Sequence, residues 1–256
     1  MSAPLSSSPA FPRRPPHRNR NVLLLVVGVV AVAAIIGGGY GLWYILVGPA
    51  GPAAVSSGAP VIPTGAAIAA PASLDGTWNV DTSSGTVSDG TASFVGYRVQ
   101  EQLVGVGGHT AVGRTPKVTG SMKLTGTTVS DVTITADMTA LASDDSHRDD
   151  QLRRQAIESG KFPTATFALT QPIDLGTLPA DGASASASAT GTLTLHGVAK
   201  TVTVALQAVR QGGIIAVTGS LPVVFGDYSI QKPNSFSVLS VDDHGTMELH
   251  LLFIHA

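Results

Sequence analysis

Apolar and polar residues alternate along much of this chain, and that alternation limits the folds open to it. Between Asp131 and Thr139 every second residue is apolar, and a period of two puts such side chains on one face of an extended strand. The same period recurs in residues 187–195, 201–208 and 247–253. Half-buried antiparallel strands fit this pattern, so the region is predicted to be built mainly from them.

Shorter apolar segments predict more strands, and most of them are bounded by Gly, Pro, Asp or Asn. These segments are residues 77–81, 93–102, 117–124, 164–169, 214–224 and 236–241. About eight to ten strands with hardly any helix between them favour a barrel or a sandwich. The two strands that flank His196 and Gly197 are predicted to form a tight hairpin, which makes His196 a turn residue.

One short helix is predicted between the strands. Asp144 or Asp145 can cap its N-terminus, and Gly160 suits the left-handed position that ends a helix. Its short apolar stripe consists of Leu152, Ala156 and Ile157. A helix of this length needs a surface to pack on, so we expect the stripe to close one end of a barrel or to lie on its wall.

An uncharged apolar run of 26 residues, Val22 to Val47, precedes the strands. As a helix it would span roughly 39 Å, enough to cross a bilayer core of about 30 Å. Four arginines precede the run and no acidic residue occurs before Asp75. The positive-inside rule therefore places residues 1–21 in the cytoplasm and everything after the helix outside the cell membrane. A cleaved signal peptide is the alternative, but its apolar core would be only about 7 to 15 residues long.

Residues 48–72 are predicted to form a linker between this anchor and a folded domain at residues 73–256. Of the 25 linker residues 18 are Pro, Gly or Ala, a composition typical of a tether without a core of its own. Within the anchor, Gly37 and Gly41 have the G-x-x-x-G spacing that lets two helices approach closely. The sequence thus leaves a homodimer open, although chance explains the spacing in so glycine-rich a segment.

Charge and cysteine content exclude several functions. All 17 acidic residues follow Ser73, whereas four of the 15 basic residues precede it, so the domain is acidic and nucleic acid is not an expected partner. The chain has no cysteine, which excludes disulfides and every thiol-based catalytic or metal-binding scheme. No cofactor and no metal site are expected.

The search for catalytic motifs is mostly negative. No G-x-S-x-G, P-loop or H-E-x-x-H motif is present, and the glycine-rich stretch from Gly105 to Gly113 is interpreted as a flexible loop. The densest functional groups lie in SHRDDQLRR, where His147, Arg148 and Asp149 are adjacent. Such a charge density is typical of a solvated helix face. We predict no catalytic residue, and these three are expected near the rim of a pocket.

Five motifs in this order resemble the YceI-like family, and together they span nearly all of the predicted domain. They are TWNVDTSSG (Thr77 to Gly85), SHRDDQLRR (Ser146 to Arg154), KFPTATFAL (Lys161 to Leu169), GTLTLHGVAKTVTVAL (Gly191 to Leu206) and FGDYSIQKP (Phe225 to Pro233).

The resemblance implies an all-β fold, an extended antiparallel lipocalin-like β-barrel with one short helix, here preceded by the transmembrane helix. It also implies an exported protein whose apolar bore holds a polyisoprenoid lipid of the quinone or undecaprenyl type. The chain departs from the family at two places. Gln100, Glu101 and Gln102 stand where relatives carry His and Phe, and residues 156–158 stand where relatives carry bulky aromatics.

Strand phase predicts which side chains line such a bore. The predicted ligand-binding residues are Ile134, Met138, Phe167, Leu169, Leu193, Leu195, Val202, Val204 and Leu249. Small residues on the same faces, such as Ala136 and Gly191, leave room for a slender ligand. The sequence therefore favours a noncatalytic, membrane-anchored carrier of an isoprenoid lipid. An enzyme acting on isoprenoid or quinone head groups and a ligand-free cell-surface interaction module are the alternatives.

Overall fold

Antiparallel strands dominate the computed structural model, which describes residues 52–55, 59–65, 68–104, 107–233 and 238–256. The predicted cytoplasmic tail, the transmembrane helix and the Gly37–Gly41 pair lie outside the described residues. The strands are β1 (Gly76–Asp81), β2 (Phe94–Leu103), β3 (Gly107–Thr115), β4 (Val118–Thr125), β5 (Thr128–Asp137), β6 (Ala142–Ser143), β7 (Thr164–Leu169), β8 (Ile173–Asp174), β9 (Ser184–Leu195), β10 (Val198–Gln211), β11 (Ile214–Val224), β12 (Val238–Val241) and β13 (His244–His255).

Eight of these strands close into a ring. Their order is β1, β4, β5, β7, β9, β10, β11 and β13, and β13 pairs back with β1. Every pairing around the ring is antiparallel. The fold is therefore the predicted lipocalin-like antiparallel barrel with one short helix.

One edge of β13 pairs with β1 and then with β2, and the change of partner forms a seam in the wall. Its last residues pair with β1, Leu252 opposite Asp81, whereas residues 246–250 pair with β2. Ser93 lies where one partner gives way to the other. Its hydroxyl donates to the Asp81 carbonyl at 2.5 Å and accepts the Leu252 N–H at 2.9 Å, so the seam is closed by hydrogen bonds.

The predicted hairpin and helix are both present. His196 and Gly197 form the turn between β9 and β10 with φ values of 52° and 74°, as a two-residue type I′ turn requires. Helix α1 (Ser146–Gln151) begins after Asp145, whose carboxylate accepts the His147 and Arg148 N–H groups, and it continues as a π-helical segment, Leu152–Ala156. The left-handed residue that follows is Glu158, with φ 46°, and not the predicted Gly160.

One predicted loop is wrong. The stretch interpreted as a flexible glycine-rich loop enters β3 at Gly107, and β3 pairs with β2 over nine residues. Its glycines and threonines lack a regular apolar period, so the pattern gave no strand signal. The backbone ladder with β2 holds the segment in place.

The predicted tether also differs from the structure. Its described parts, residues 52–55, 59–65 and 68–72, lie on the outside of the barrel and are called the strap below. Ile62 packs against Ile214, Ala216 and Leu252, which are all 0% exposed. The Gly213 N–H donates to the Ile68 carbonyl at 2.9 Å. The strap residues build no core alone, as expected, but they complete one on the barrel surface.

Charged groups are buried beside this contact. Glu248, 1% exposed, accepts from Arg98 Nε at 2.9 Å, from Arg114 Nη2 at 3.4 Å and from the Val55 N–H at 3.3 Å. Arg114 stacks over the Phe94 ring at 4.1 Å. The carbonyls of Pro52 and Ala53 accept from the two arginines, so the strap satisfies part of this ion cluster.

Among the described residues no helix combines the length and the apolar character that crossing a membrane requires.

Candidate functional site

Three adjoining cavities lie along the inside of the barrel, each with a volume of about 120 Å³. The α1-end cavity and the middle cavity share Val95, Ala165 and Met247 in their walls. The middle cavity and the third share five residues, among them Met122 and Leu206. The cavities therefore follow one another along a single bore.

The walls of this bore come from the alternation already seen in the sequence. On β13, Met247, Leu249, Leu251 and Phe253 all face the middle cavity, while Glu248, His250 and Leu252 are buried against the outer face. Apolar side chains line nearly all of the middle cavity, where Thr166 is the one polar residue. Such walls favour an apolar guest.

Seven of the nine predicted lining residues face a cavity. Those in the middle cavity are Ile134, Phe167, Leu193, Val204 and Leu249, and those in the α1-end cavity are Met138 and Leu195. Their contact with a ligand stays a prediction.

Leu169 and Val202 are placed differently, because they do not line any of the three cavities. Both pair with Gly191, one from β7 and one from β10. The Phe167 ring lies so close over Gly191 that a Cβ there would be 2.5 Å from Phe167 Cζ. At this position Phe167 therefore forms the wall in place of Leu169 and Val202.

Of the three predicted rim residues only Arg148 lines a cavity. His147 is exposed on α1. Asp149 is buried and accepts from the Ser143 N–H at 2.9 Å and from the Ser143 hydroxyl at 2.7 Å. The helical period explains this, because adjacent residues point in different directions. Asp149 thus fixes the turn before α1, and Arg148 faces inward.

The predicted apolar stripe of the helix closes this end of the barrel. Leu152, Ala156 and Ile157 all line the α1-end cavity. Two of them, Ala156 and Ile157, stand at positions where the resemblance implied bulky aromatics. The prediction that the stripe packs on the barrel is confirmed.

A polar cluster in the α1-end cavity was missed as a site. Glu101, 6% exposed, accepts from Arg148 Nη2 at 2.9 Å, and His109 Nδ1 lies 3.0 Å from the same oxygen. Tyr97 lines the cavity beside them. In the sequence, Glu101 stands out only as a departure from the family pattern. Its partner is 47 residues away in sequence, so no local spacing could have revealed the pair.

His196 has a larger role than a turn residue needs. It is 7% exposed, and its Nδ1 and Nε2 lie 3.0 Å from the Tyr228 carbonyl and 2.9 Å from a Glu158 oxygen. The Phe162 ring packs on it with centroids 4.3 Å apart. His196 thus joins the β9–β10 turn to the segment that follows α1. In the described ranges, no group of three or more His, Asp or Glu side chains is arranged to hold a metal ion.

A closed antiparallel barrel with an apolar bore and a helix over one end defines a lipocalin-like class of fold. The model of the YceI-like domain matches residues 78–253, which is most of the chain. The chain therefore belongs to the YceI-like family, as its motifs predicted.

Similar proteins come from several bacteria. A UPF0312 protein of Vibrio vulnificus strain YJ016 is 33% identical over 132 residues, 48% of this chain and 61% of that protein. One from Vibrio parahaemolyticus is 30% identical over 122 residues, 45% and 61% of the two chains. The matched region thus spans about three fifths of these curated relatives.

Among solved structures, a polyisoprenoid binding domain from Saccharophagus degradans, implicated in plant cell wall breakdown, matches with a TM-score of 0.55. It is 20% identical, and the match covers 70% of this chain and 98% of that one. At this identity the likeness shows the fold.

Proposed function

We propose that this protein is a noncatalytic carrier of a polyisoprenoid lipid, tied to the cell membrane by residues 22–47, with its barrel on the outer side. One observation carries the proposal, namely the row of three adjoining apolar cavities inside a closed barrel. A slender hydrocarbon would gain about 25 cal/mol for each Å² of its surface removed from water there.

The length and shape of the bore suit a chain-like guest. β10 has 14 residues, which corresponds to about 46 Å of extended strand. The tilt of barrel strands by about 35–45° reduces this to roughly 35 Å along the barrel axis. The cavities follow the barrel instead of forming one round chamber. A repeating isoprenoid tail, which is long, thin and apolar, fits such a path better than a compact ligand. Family membership supports the same ligand class.

Membrane attachment is supported by the sequence alone. The 26-residue apolar run and the four arginines before it favour an uncleaved anchor with a cytoplasmic N-terminus. A carrier held at the surface would meet its lipid at the outer leaflet. A C-terminal alkaline phosphatase fusion should be active in intact cells, and an inactive fusion would contradict the orientation.

Lipid loading is tested by extraction. Full-length protein, purified from its own membranes, is treated with organic solvent and the extract is analysed by mass spectrometry. We expect a species built of five-carbon repeats. Ala165→Phe should reduce its yield at least tenfold, because Ala165 lies in the wall shared by two cavities.

The matched control is Ala168→Phe, which adds the same ring to an exposed position on the same strand. It should keep the lipid. Wild-type protein without any isoprenoid in its extract would overturn the proposal, and equal loss in both variants would show that the effect of Ala165→Phe is not due to filling the bore.

A further inference from the structure

Polarity in the bore is concentrated at its ends. The α1-end cavity is the one in which Tyr97, Glu101 and Arg148 meet. At the far end the polar lining residue is Arg210, whose Nη1 is already 2.6 Å from Asp181 Oδ1. If an amphipathic guest occupies the bore, its head group therefore belongs at the α1 end, beside these three residues.

Tyr97 offers a hydrogen-bond donor to such a head group. Within the described chain its hydroxyl is buried and has no hydrogen-bond partner. Burial raises the pKa of Tyr97 far above its usual value, and the carboxylates of Asp149, Glu101 and Asp144 act in the same direction against Arg148. The hydroxyl thus keeps its proton. A buried donor without an acceptor is costly, and an acceptor oxygen on a ligand would remove that cost.

The position of this hydroxyl is fixed by the neighbouring strand. Tyr97 pairs with Gly113 of β3, and a Cβ at Gly113 would be 2.4 Å from Tyr97 Cε1. The ring therefore lies against a residue that has no side chain. Because Gly113 has no side chain, the Tyr97 ring can lie directly against β3.

Arg148, the cation of this cavity, is already neutralised. Its Nη2 is 2.9 Å from Glu101 and its Nη1 is 2.7 Å from Asp144. The buried carboxylate of Asp149 lies one residue along the helix. Two carboxylates thus pair with one guanidinium, and a third, bound to Ser143, is buried nearby. A phosphate would have to displace a paired carboxylate and would meet net negative charge, which disfavours it.

We infer that the α1-end cavity selects a neutral head group with an acceptor oxygen, bound by the Tyr97 hydroxyl, and that Glu101 excludes phosphate-bearing isoprenoids. This inference depends on the proposed function, because it concerns the same bore. It identifies Tyr97 and Glu101 as the residues that decide head-group specificity. A quinone carbonyl and an alcohol share the required chemistry.

Three probes with the same four-unit isoprenoid tail test the selection, namely ubiquinone-4, geranylgeraniol and geranylgeranyl monophosphate. Binding to delipidated full-length protein in detergent is measured by calorimetry. We expect at least one neutral probe to bind tenfold or more tightly than the phosphate. Equal or tighter phosphate binding would overturn the inference and leave the proposed function intact. No binding of any probe would count against the proposed function itself.

Variants separate the two roles. Tyr97→Phe should weaken the binding of the neutral probes about three- to tenfold, the value of one hydrogen bond. The binding of squalene, a hydrocarbon without a head group, should stay unchanged. Tyr228→Phe, a buried tyrosine outside the cavity walls, is the control and should leave both unchanged. Unchanged neutral-probe affinity in Tyr97→Phe would refute the role of the hydroxyl.

Glu101→Gln should reduce the ratio of the affinities for neutral and phosphate probes by tenfold or more, because Arg148 Nη2 loses its carboxylate partner. If that variant does not fold, Asp144→Asn changes a more exposed carboxylate on the other guanidinium nitrogen and should change the ratio in the same direction. A ratio that stays unchanged in every variant that folds would refute the role of charge.

Discussion

The inner and outer faces of β11 and β13 are both buried, but they are buried in different ways. The inner face surrounds cavities that its own side chains leave open. The outer face of β11 and β13 is covered by the strap, and Ile214, Ala216 and Leu252 are fully enclosed there. The outer face also holds the Arg98, Arg114 and Glu248 cluster. The comparison teaches that the outer face of these two strands is closely covered by the strap, whereas the inner face, which also holds the main hydrophobic core, leaves room beside that core.

The ion cluster under the strap gives the largest expected effect. Glu248→Ala would leave Arg98 and Arg114 without their buried partner, and removing one member of a buried pair costs about 3–5 kcal/mol. Denaturant unfolding of full-length protein in detergent should show this loss. A loss below about 1 kcal/mol would mean that the cluster behaves like a solvated surface pair, and the contrast between the faces would weaken.

Two leucines on β13 measure the same contrast directly. Leu252→Ala on the outer face should cost about 3–4 kcal/mol, in the range for a fully packed leucine. Leu249→Ala faces a cavity and should cost about 1–2 kcal/mol, because atoms beside a void have fewer contacts to lose. Equal losses in unfolding free energy would show that the inner face is packed as tightly as the outer one.

Ile62 tests the strap from its own side. Ile62→Ala should cost about 1 kcal/mol, because this side chain is only partly buried. Lipid loading measured by mass spectrometry should not change, since Ile62 touches the outer face alone. Reduced loading at unchanged stability would show that the strap and the bore are coupled.

The smallest expected effect is a pH dependence at His250. Its Nδ1 and Nε2 lie 2.8 Å from the Ala92 carbonyl and 3.0 Å from the Val61 carbonyl. Burial, with a contribution from Arg114, lowers the pKa of His250 despite these hydrogen bonds. The unfolded chain therefore binds this proton at a higher pH than the folded chain does. The contribution of neutral His250 to the free energy of unfolding is therefore complete above its unfolded-state pKa of about 6.5. This contribution is lost progressively as the pH falls below that value.

His250→Asn should remove that part of the pH dependence. Unfolding free energies measured between about pH 7.5 and 5.5 should fall for the wild type with a slope no steeper than about 1.4 kcal/mol per pH unit. The neighbouring charges, Glu248, Arg98 and Arg114, remain in the variant. Identical slopes for the two proteins would show that His250 does not titrate in this range.

The sequence predicted those elements whose periodicity is local. β7 and β11 have the predicted bounds, and the turn at His196 follows from the strands beside it. β3 was missed because Gly107 to Gly113 carries little apolar side chain, and a backbone ladder leaves no trace in composition. Residues 59–65 have the composition of a free linker, and the surface on which they pack exists only in the folded barrel.

The site was predictable only in part, for the same physical reason. Inward-facing residues such as Ile134 and Leu193 follow from strand phase. The pair of Glu101 and Arg148 depends on tertiary structure, since α1 must lie over the end of β2 before the two can meet. Leu169 and Val202 have the right phase as well, but the Phe167 ring occupies the space in front of Gly191. The alternation of residues along a strand does not predict the rotamer that places the ring there.

The Ser93 hydroxyl has a consequence for how cargo could be exchanged. It supplies hydrogen bonds where β13 passes from β1 to β2, and all neighbouring strands of the ring, β1 and β13 included, are joined by backbone ladders. Sideways passage would require these ladders to part. In the proposed function, a lipid would therefore enter the bore through an end of the barrel and not through the laddered wall.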